Sequence, residues 1–188
     1  MIVRVVFGLL LLAVLASCTD VPIKSAIPFQ LDEREYLYDS SVWSFVGRLA
    51  LANENESFSA SINWKHQADR DEIELAGPFG QGRTLLVLTG DSVVIDFGDK
   101  RLQHYGNLDE FISMYTGIVV PVSALKFWVL GLVEPAAKYV EFENGFLQSG
   151  WSVQYLQMQV EGQNEMPRKI RVEKELTKLK LIISHWDI

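Results

Sequence analysis

The stretch SFSASINW, residues 57–64, alternates polar and apolar side chains without a fault. Phe58, Ala60, Ile62 and Trp64 fall on one side of this period of two, opposite three serines and an asparagine. A period of two is typical of a β-strand that turns one face to the core and the other to water. The stretch therefore predicts a strand with one apolar face and one wet face.

The neighbouring segments continue this pattern. Segment 43–52 places Phe45, Leu49 and Leu51 on one face. Downstream, Gly-Asp pairs of the kind found in hairpin turns separate further apolar runs. We expect these runs to be strands at residues 71–76, 83–89, 92–97 and 100–105. This half of the chain is therefore predicted to be an antiparallel meander.

Two helices are expected to interrupt the meander. Asn107 is a favourable N-cap, and Glu110 follows it three residues later. Apolar residues then recur at the spacing of one helix face until Gly117 ends the helix. Pro121 opens a second helix at a position where its missing N–H costs nothing, and Gly131 ends it.

Strand patterns resume after the helices. They cover residues 138–143, 145–148, 151–160, 168–175 and 178–186. The chain is therefore predicted to be mainly β, with about eleven strands in a curved antiparallel sheet and helices laid on one face.

The N-terminus has the features of an export signal. Arg4 precedes twelve almost purely apolar residues, 5–16, which is too short for a membrane-spanning helix of about 20 residues. The run ends in Leu15-Ala16-Ser17-Cys18, which resembles the lipobox of bacterial lipoproteins, and Cys18 is the only cysteine of the chain. A basic start, a short apolar core and small residues before a cleavage point are typical of a signal peptide.

Three parts of the chain follow from this interpretation. We expect residues 1–17 to be the signal peptide and Cys18 to be the site of lipid attachment. Residues 18–30 contain two prolines and no apolar period, so we expect a tether there. Residues 31–188 are then expected to form a single β domain.

No constellation of residues indicates catalysis, a metal or a cofactor. His66, His104 and His185 lie in different strands without metal-ligand spacing. The glycine-rich loop 77–82 lacks the Lys-Ser/Thr of a phosphate-binding loop and leads into a strand. Acidic pairs such as Asp71-Glu72 are interpreted as solvated strand faces. The net charge of −7 argues against nucleic acid as a partner.

The chain is rich in aromatic residues, with five Trp, ten Phe and six Tyr. A sheet of one-sided strands covered by helices either fills its interior or encloses an apolar ligand, and composition does not decide between the two. The loop carries Phe79 between Pro78 and Gly80. This ring either folds back onto the sheet or protrudes as an apolar tip that enters a membrane or a partner.

In their order along the chain, several short motifs resemble those of the LolB family of outer-membrane lipoprotein receptors. The resemblance covers about residues 43–186. Its motifs are Gly47-Arg48-Leu49-Ala50, Ile62-Asn63-Trp64, Gly77-Pro78-Phe79-Gly80, Thr116-Gly117 followed by Pro121-Val122, Leu125, Trp128 and Gly131, and Gly150-Trp151 with Val153 and Tyr155, then Pro167 and Trp186.

The resemblance implies an open half-barrel of eleven strands with a helical lid over an apolar cavity for acyl chains. It also implies that the loop Gly77, Pro78, Phe79 and Gly80 inserts into the membrane, with Phe79 where the family usually has Leu. On this hypothesis the cavity is lined by Phe45, Leu49, Leu51, Phe58, Ile62, Trp64, Leu75, Leu86, Leu88, Phe111, Tyr115, Leu125 and Trp128.

The same resemblance implies the partners. They would be a LolA-like periplasmic carrier, acylated lipoproteins as cargo and the lipid of the outer membrane, with no cofactor. Thr19 follows the cysteine where inner-membrane lipoproteins carry Asp, which indicates the periplasmic face of the outer membrane. We expect a monomer. A structural envelope-assembly lipoprotein with a filled core, or a lipid-modifying enzyme, are the alternatives.

Overall fold

The computed structural model describes residues 28–54, 56–80, 82–117, 119–135 and 137–188. The expected signal peptide, Cys18 and most of the expected tether lie outside these residues. Within the described residues, no helix combines the length and the apolar character needed to span a bilayer.

One antiparallel sheet of eleven strands makes up most of the molecule, which confirms the predicted fold. The strand order is β6-β5-β4-β3-β2-β1-β11-β10-β9-β8-β7. The strands are β1 Val42–Ala52, β2 Ser57–Gln67, β3 Arg70–Ala76, β4 Thr84–Thr89, β5 Ser92–Asp96, β6 Arg101–Tyr105, β7 Tyr139–Phe142, β8 Gly145–Gln148, β9 Trp151–Glu161, β10 Asn164–Lys174 and β11 Thr177–Asp187.

The first and last strands meet in the middle of the sheet. β1 pairs with β11, whereas every other neighbouring pair is consecutive along the chain. A bulge between Val46 and Gly47 shifts the register of this junction. A Cβ on Gly47 would lie 2.4 Å from the carbonyl oxygen of Ile182, so only glycine lets the two strands approach this closely.

The core lies on the concave face of the sheet. Trp43, Phe45, Trp64 and Trp186 form an aromatic cluster there, each at most 3% exposed, and the rings of Phe45 and Trp186 lie 4.9 Å apart. Burying each large apolar side chain stabilises the fold by about 1.5–3 kcal/mol. The inward parity of β4 is as expected, since Leu86 and Leu88 are buried while Leu85 is half-buried.

Two α-helices and a 3₁₀ helix cover this face. Helix α1 runs Leu108–Thr116, with the Asn107 side chain accepting from the Glu110 N–H and Gly117 in the left-handed region, as predicted. Helix α2 runs Val122–Trp128. The N-terminal segment forms a 3₁₀ helix at Asp32–Asp39.

Three assignments differ from the sequence expectation by more than one residue. Helix α2 ends at Trp128, before the predicted end at Gly131. β10 begins at Asn164 instead of residue 168, because bulges next to Pro167 let the strand pass through a residue without an N–H. The packed part of the chain also includes Phe29, which was assigned to the tether. The Phe29 ring is buried and stacks 4.0 Å from the ring of Tyr155.

Candidate functional site

A small apolar cavity lies between the sheet and α2. Its volume is ≈ 20 Å³, and its lining exposes no polar surface. A cavity of about this size holds roughly one water molecule, so the interior is nearly filled. Its lining residues are Leu49, Ile62, Trp64, Ile73, Leu75, Leu86, Val122, Leu125 and Leu179.

A larger groove opens beside the cavity, where β2, β3 and β4 meet the end of α1. Its volume is ≈ 300 Å³, at the lower end of the range of ligand pockets, about 300–1,000 Å³. Leu75 lines both the groove and the cavity, so the two spaces lie on either side of one side chain. The groove is lined by Phe58, Ser59, Ala60, Leu75, Ala76, Gly77, Gly82, Thr84 and Thr116.

The residues predicted to contact acyl chains fall into three groups. Six of them meet at the cavity: Leu49, Ile62, Trp64, Leu75, Leu86 and Leu125. Four are buried without lining it: Phe45, Leu51, Leu88 and Trp128.

The other three predicted residues lie away from the cavity. Phe58 lines the groove instead, and Phe111 is half-buried. Tyr115 is 42% exposed, and its ring faces the Lys100 ammonium at 5.7 Å. Tyr115 therefore lies on the outer side of the lid.

The prediction missed three residues that line the cavity, namely Ile73, Val122 and Leu179. Each carried a signal in the sequence. Ile73 shares the strand parity of Leu75, Leu179 begins the alternation of the last strand, and Val122 belongs to the apolar stripe of α2.

Helix α2 is fixed at its C-terminal end by buried polar side chains. Arg34 donates from Nε to the Leu130 carbonyl oxygen at 3.0 Å and from Nη1 to that of Glu165 at 2.6 Å. The Tyr155 hydroxyl donates to the Trp128 carbonyl at 2.8 Å, and Trp128 Nε1 donates to Gln148 Oε1 at 2.9 Å.

Burial shifts the pKa values of two of these groups. It lowers the pKa of Arg34 from its ordinary value and raises the pKa of Tyr155, because a low-dielectric interior disfavours charged forms. Tyr155 therefore acts as a neutral donor. The Arg34 guanidinium also occupies the space beside Gly131, whose Cβ would lie 2.3 Å from Nε.

Helix α1 is held less firmly than α2. Only Ile112 of its nine residues is buried, and Met114 is 69% exposed. Four of the seven residues of α2, by contrast, are buried: Val122, Ala124, Leu125 and Trp128. The two helices therefore make a lid with one fixed and one lightly packed part.

The loop between β3 and β4 contains a short 3₁₀ turn at Pro78–Gly80, in which the Gly80 N–H donates to the Gly77 carbonyl at 3.0 Å. The side chain of Phe79 and residue Gln81 lie outside the described part of the chain. The predicted membrane tip therefore stays a prediction.

The interpretation of Asp71 as a solvated residue is wrong. Its side chain is buried and accepts a hydrogen bond from Trp64 Nε1 at 2.8 Å, and His66 Nδ1 lies 2.9 Å from the same oxygen. The alternation of β3 places Asp71 on the same inward side as Ile73, and this alternation was the signal in the sequence that indicated its burial. Among the described residues, no group of three or more His, Cys, Asp or Glu is placed to hold a metal ion.

The open antiparallel sheet with an apolar face under short helices resembles the fold of a solved LolA superfamily protein. A LolA superfamily protein from Nitrosomonas europaea superposes with a TM-score of 0.53 at 6% identity, over 87% of this chain and 94% of that chain. This likeness defines the fold class.

Sequence comparison gives the family. The family model described as outer membrane lipoprotein LolB matches residues 41–186. The outer-membrane lipoprotein LolB of Chromohalobacter salexigens is 30% identical over 98% of this chain and 91% of that protein. The protein of the same name from Nitrosococcus oceani is 29% identical over 96% and 95%. The chain belongs to the LolB family of outer-membrane lipoproteins, which places it in lipoprotein localisation at the outer membrane and does not favour a structural role.

Proposed function

We propose that this protein accepts lipoproteins from a LolA-like periplasmic carrier and inserts them into the outer membrane. It takes their acyl chains against its concave face, binding them without bond chemistry and acting as a monomer. The observation that carries the proposal is the wholly apolar cavity beneath α2, with the groove on the other side of Leu75.

The size of the cavity determines how a chain must enter. An acyl chain gains about 0.8 kcal/mol for each CH₂ removed from water, but ≈ 20 Å³ holds no such chain. The lid must therefore move outward when cargo arrives. Helix α1 is the part that moves, because it buries little, and the groove beside Thr116 is the entrance.

Transfer needs no energy source in this scheme. Acyl chains pass from one apolar surface to another and then to the bilayer, so each step proceeds if the next environment solvates them better. Cys18, once lipidated, keeps the domain at the membrane. Insertion of Phe79 would add about 1.5–3 kcal/mol, which is enough to orient a domain that is already tethered.

The test is transfer of a radiolabelled lipoprotein from loaded carrier to the purified protein. Leu49→Glu places a charge in the cavity and should abolish acceptance. Val46→Glu is the matched control, because Val46 lies on the outer face of the same strand and is 43% exposed.

A second variant guards against simple unfolding of Leu49→Glu. Val122→Phe fills the cavity from the helix side at a cost of about 1–3 kcal/mol, and circular dichroism reports whether it folds. If folded Val122→Phe and Leu49→Glu accept cargo as the parent does, the acyl chains bind elsewhere.

A further inference from the structure

The middle of the convex face of the sheet has a charge opposite to that of the whole chain. Across β2, β1, β11, β10 and β9 the outward positions carry six cations and four carboxylates, whereas the chain carries a net charge of −7. The carboxylates Glu161, Glu165 and Asp187 lie at strand ends. Lys65 lies opposite Glu72 of β3, and Glu173 is the carboxylate that lies among the other five cations. The cations are Arg48, Lys65, Lys169, Arg171, Lys178 and Lys180.

The strand register concentrates this charge around one apolar side chain. Ile182 is 39% exposed and is paired with Arg48 on one side and Lys169 on the other. One step along the sheet, Lys180 lies directly opposite Arg171. We call Arg48, Lys169, Arg171, Lys178, Lys180 and Ile182 the basic face.

The arrangement does not serve the stability of the sheet. Like charges directly opposite each other on neighbouring strands are destabilising. Glu173 lies opposite Lys178 and forms a long ion pair with Arg171 at 3.9 Å. Within the described chain, no ion pair involves Arg48, Lys169, Lys178 or Lys180. An excess of positive charge is therefore left for an external anion.

The dimensions of the basic face favour a lipid surface over a small anion. The face lies on three strands, β1, β11 and β10, which are about 4.8 Å apart and so span roughly 10 Å, and it extends about 13 Å along β11 from Lys178 to Ile182. This area is larger than a single small anion. Exposed Ile182 and Val46 lie among the cations, and such mixed aliphatic and basic surfaces suit the membrane interface. Each Lys or Arg near an anionic bilayer adds to the attraction, and this family resides at a membrane.

We propose that the basic face binds anionic phospholipid headgroups of the outer membrane and lays the domain on its convex side. The concave face and the lid then point into the periplasm, where a carrier arrives. If the domain tilts toward the β3–β4 loop, the contact between the basic face and the membrane is replaced by a contact between the loop and the membrane. The proposal rests on the membrane location of the family and is independent of acyl-chain acceptance.

The experiment places a reporter on each side of the domain. The lipidated full-length protein is reconstituted into vesicles of phosphatidylcholine with phosphatidylglycerol, or of phosphatidylcholine alone. A fluorophore is attached either at Ile182→Cys on the basic face or at Met114→Cys on α1. The side chain of Met114 is more exposed than that of Ile182. In vesicles with phosphatidylglycerol, quenching by headgroup-linked nitroxides should be severalfold stronger at position 182 than at position 114. This difference should be absent in vesicles of phosphatidylcholine alone and should fall with salt.

Charge variants identify the residues responsible. Arg171→Gln with Lys180→Gln should remove the difference between the two vesicle types, whereas Lys126→Gln with Lys138→Gln removes equal charge elsewhere and should preserve it. Equal quenching of position 182 in both vesicle types would overturn the proposal.

A second readout separates a lipid from a protein partner. Transfer from loaded carrier is measured in detergent solution, without vesicles. The Arg171→Gln, Lys180→Gln variant should accept cargo normally there, even though it has lost its membrane contact. Loss of transfer with unchanged quenching would show that the face binds an acidic protein and would overturn the lipid proposal. Failure of the parent protein to accept cargo would instead overturn the proposed function.

Discussion

Asp109 caps helix α2 through Ser123, the second residue of that helix. One carboxylate oxygen of Asp109 accepts from the backbone N–H of Ser123 at 3.1 Å and from that of Val122 at 2.7 Å, and the other accepts from the Ser123 hydroxyl. Asp109 itself lies in the first turn of α1. A seven-residue helix is not stable alone, and Pro121 offers it no side-chain cap. Helix α2 therefore depends on α1 for its N-terminal cap.

Removing this carboxylate should loosen the lid. Asp109→Ala leaves three donors without a partner and should lower the free energy of unfolding by about 0.5–2 kcal/mol. It should also speed uptake of an apolar fluorescent probe, measured by stopped flow. Asp109→Asn keeps one acceptor oxygen, so its free energy of unfolding and its rate of probe uptake should lie between those of the parent and of Asp109→Ala. If uptake by Asp109→Ala matches the parent rate, the lid does not open at this contact.

Arg34 should be the strongest single contributor among the buried polar groups. Arg34→Met removes charge-assisted hydrogen bonds to Leu130 and Glu165, each worth about 1.5–3 kcal/mol, and leaves buried carbonyls unpaired. Urea denaturation should show a loss of several kcal/mol. Arg34→Lys should fail to restore stability, because an ammonium cannot reproduce the planar fork that reaches both carbonyls. Full rescue by lysine would show that charge alone matters at this site.

Truncation of Leu125 should lower the stability of the fold and strengthen the binding of an apolar probe. Leu125 is 4% exposed and lines the cavity, so Leu125→Ala should cost about 2–5 kcal/mol. The enlarged cavity should bind an apolar probe more tightly, measured by fluorescence titration. Ile182→Ala removes a similar side chain from the convex surface and should change neither quantity appreciably. Equal probe affinity in Leu125→Ala and the parent would place the probe outside the cavity.

Gly47 should tolerate no side chain. The Cβ of Gly47→Ala would meet the Ile182 carbonyl oxygen at 2.4 Å, which forces β1 and β11 apart, and overpacking costs about 1–3 kcal/mol or more. Thermal unfolding should shift down by several degrees. Ser44→Ala, on the outer side of the same strand pair, should leave the midpoint near its parent value. A similar small effect for Gly47→Ala would mean that the bulge absorbs the extra carbon.

Stability should decline in strong alkali through Tyr155. Burial raises the pKa of Tyr155 above its ordinary value of 10.0. Above pH 10 the unfolded chain releases this proton while the folded chain keeps it, so the free energy of unfolding decreases as pH rises. The stabilisation is therefore complete below pH 10 and is lost progressively above it. Urea midpoints between pH 8 and pH 11 should fall more steeply in the parent than in Tyr155→Phe, and parallel slopes would contradict this assignment.

Local patterns in the sequence were sufficient to predict most of the elements. The alternation at Ile62 and Trp64 and the caps at Asn107 and Gly117 act over a few residues, so they can be recognised without knowing the rest of the chain. Pro167 misled the boundary of β10, because a bulge depends on the partner strand and leaves no local trace.

The polar parts of the candidate site depend on distant partners and could not be derived in this way. Arg34 bonds to a carbonyl that lies 96 residues away, and nothing near it in the sequence indicates burial. The volume of the cavity is likewise set by how α2 settles on the sheet. The strand alternation was enough to predict that residues such as Leu49 line the apolar cavity. It was not enough to predict that the cavity is almost filled.

The junction of β1 with β11 has a consequence for folding. Synthesis and export deliver β1 near the beginning of the domain and β11 at its very end. Until β11 arrives, the edge of β1 opposite β2 has no partner strand, and Phe45, Leu49 and Leu51 lack their neighbours Trp186, Leu181 and Leu179. Pairing over such a separation is slow, and an unpaired apolar edge invites aggregation. The newly exported chain is therefore most vulnerable just before completion, and loss of only its final strand would leave two unjoined half-sheets.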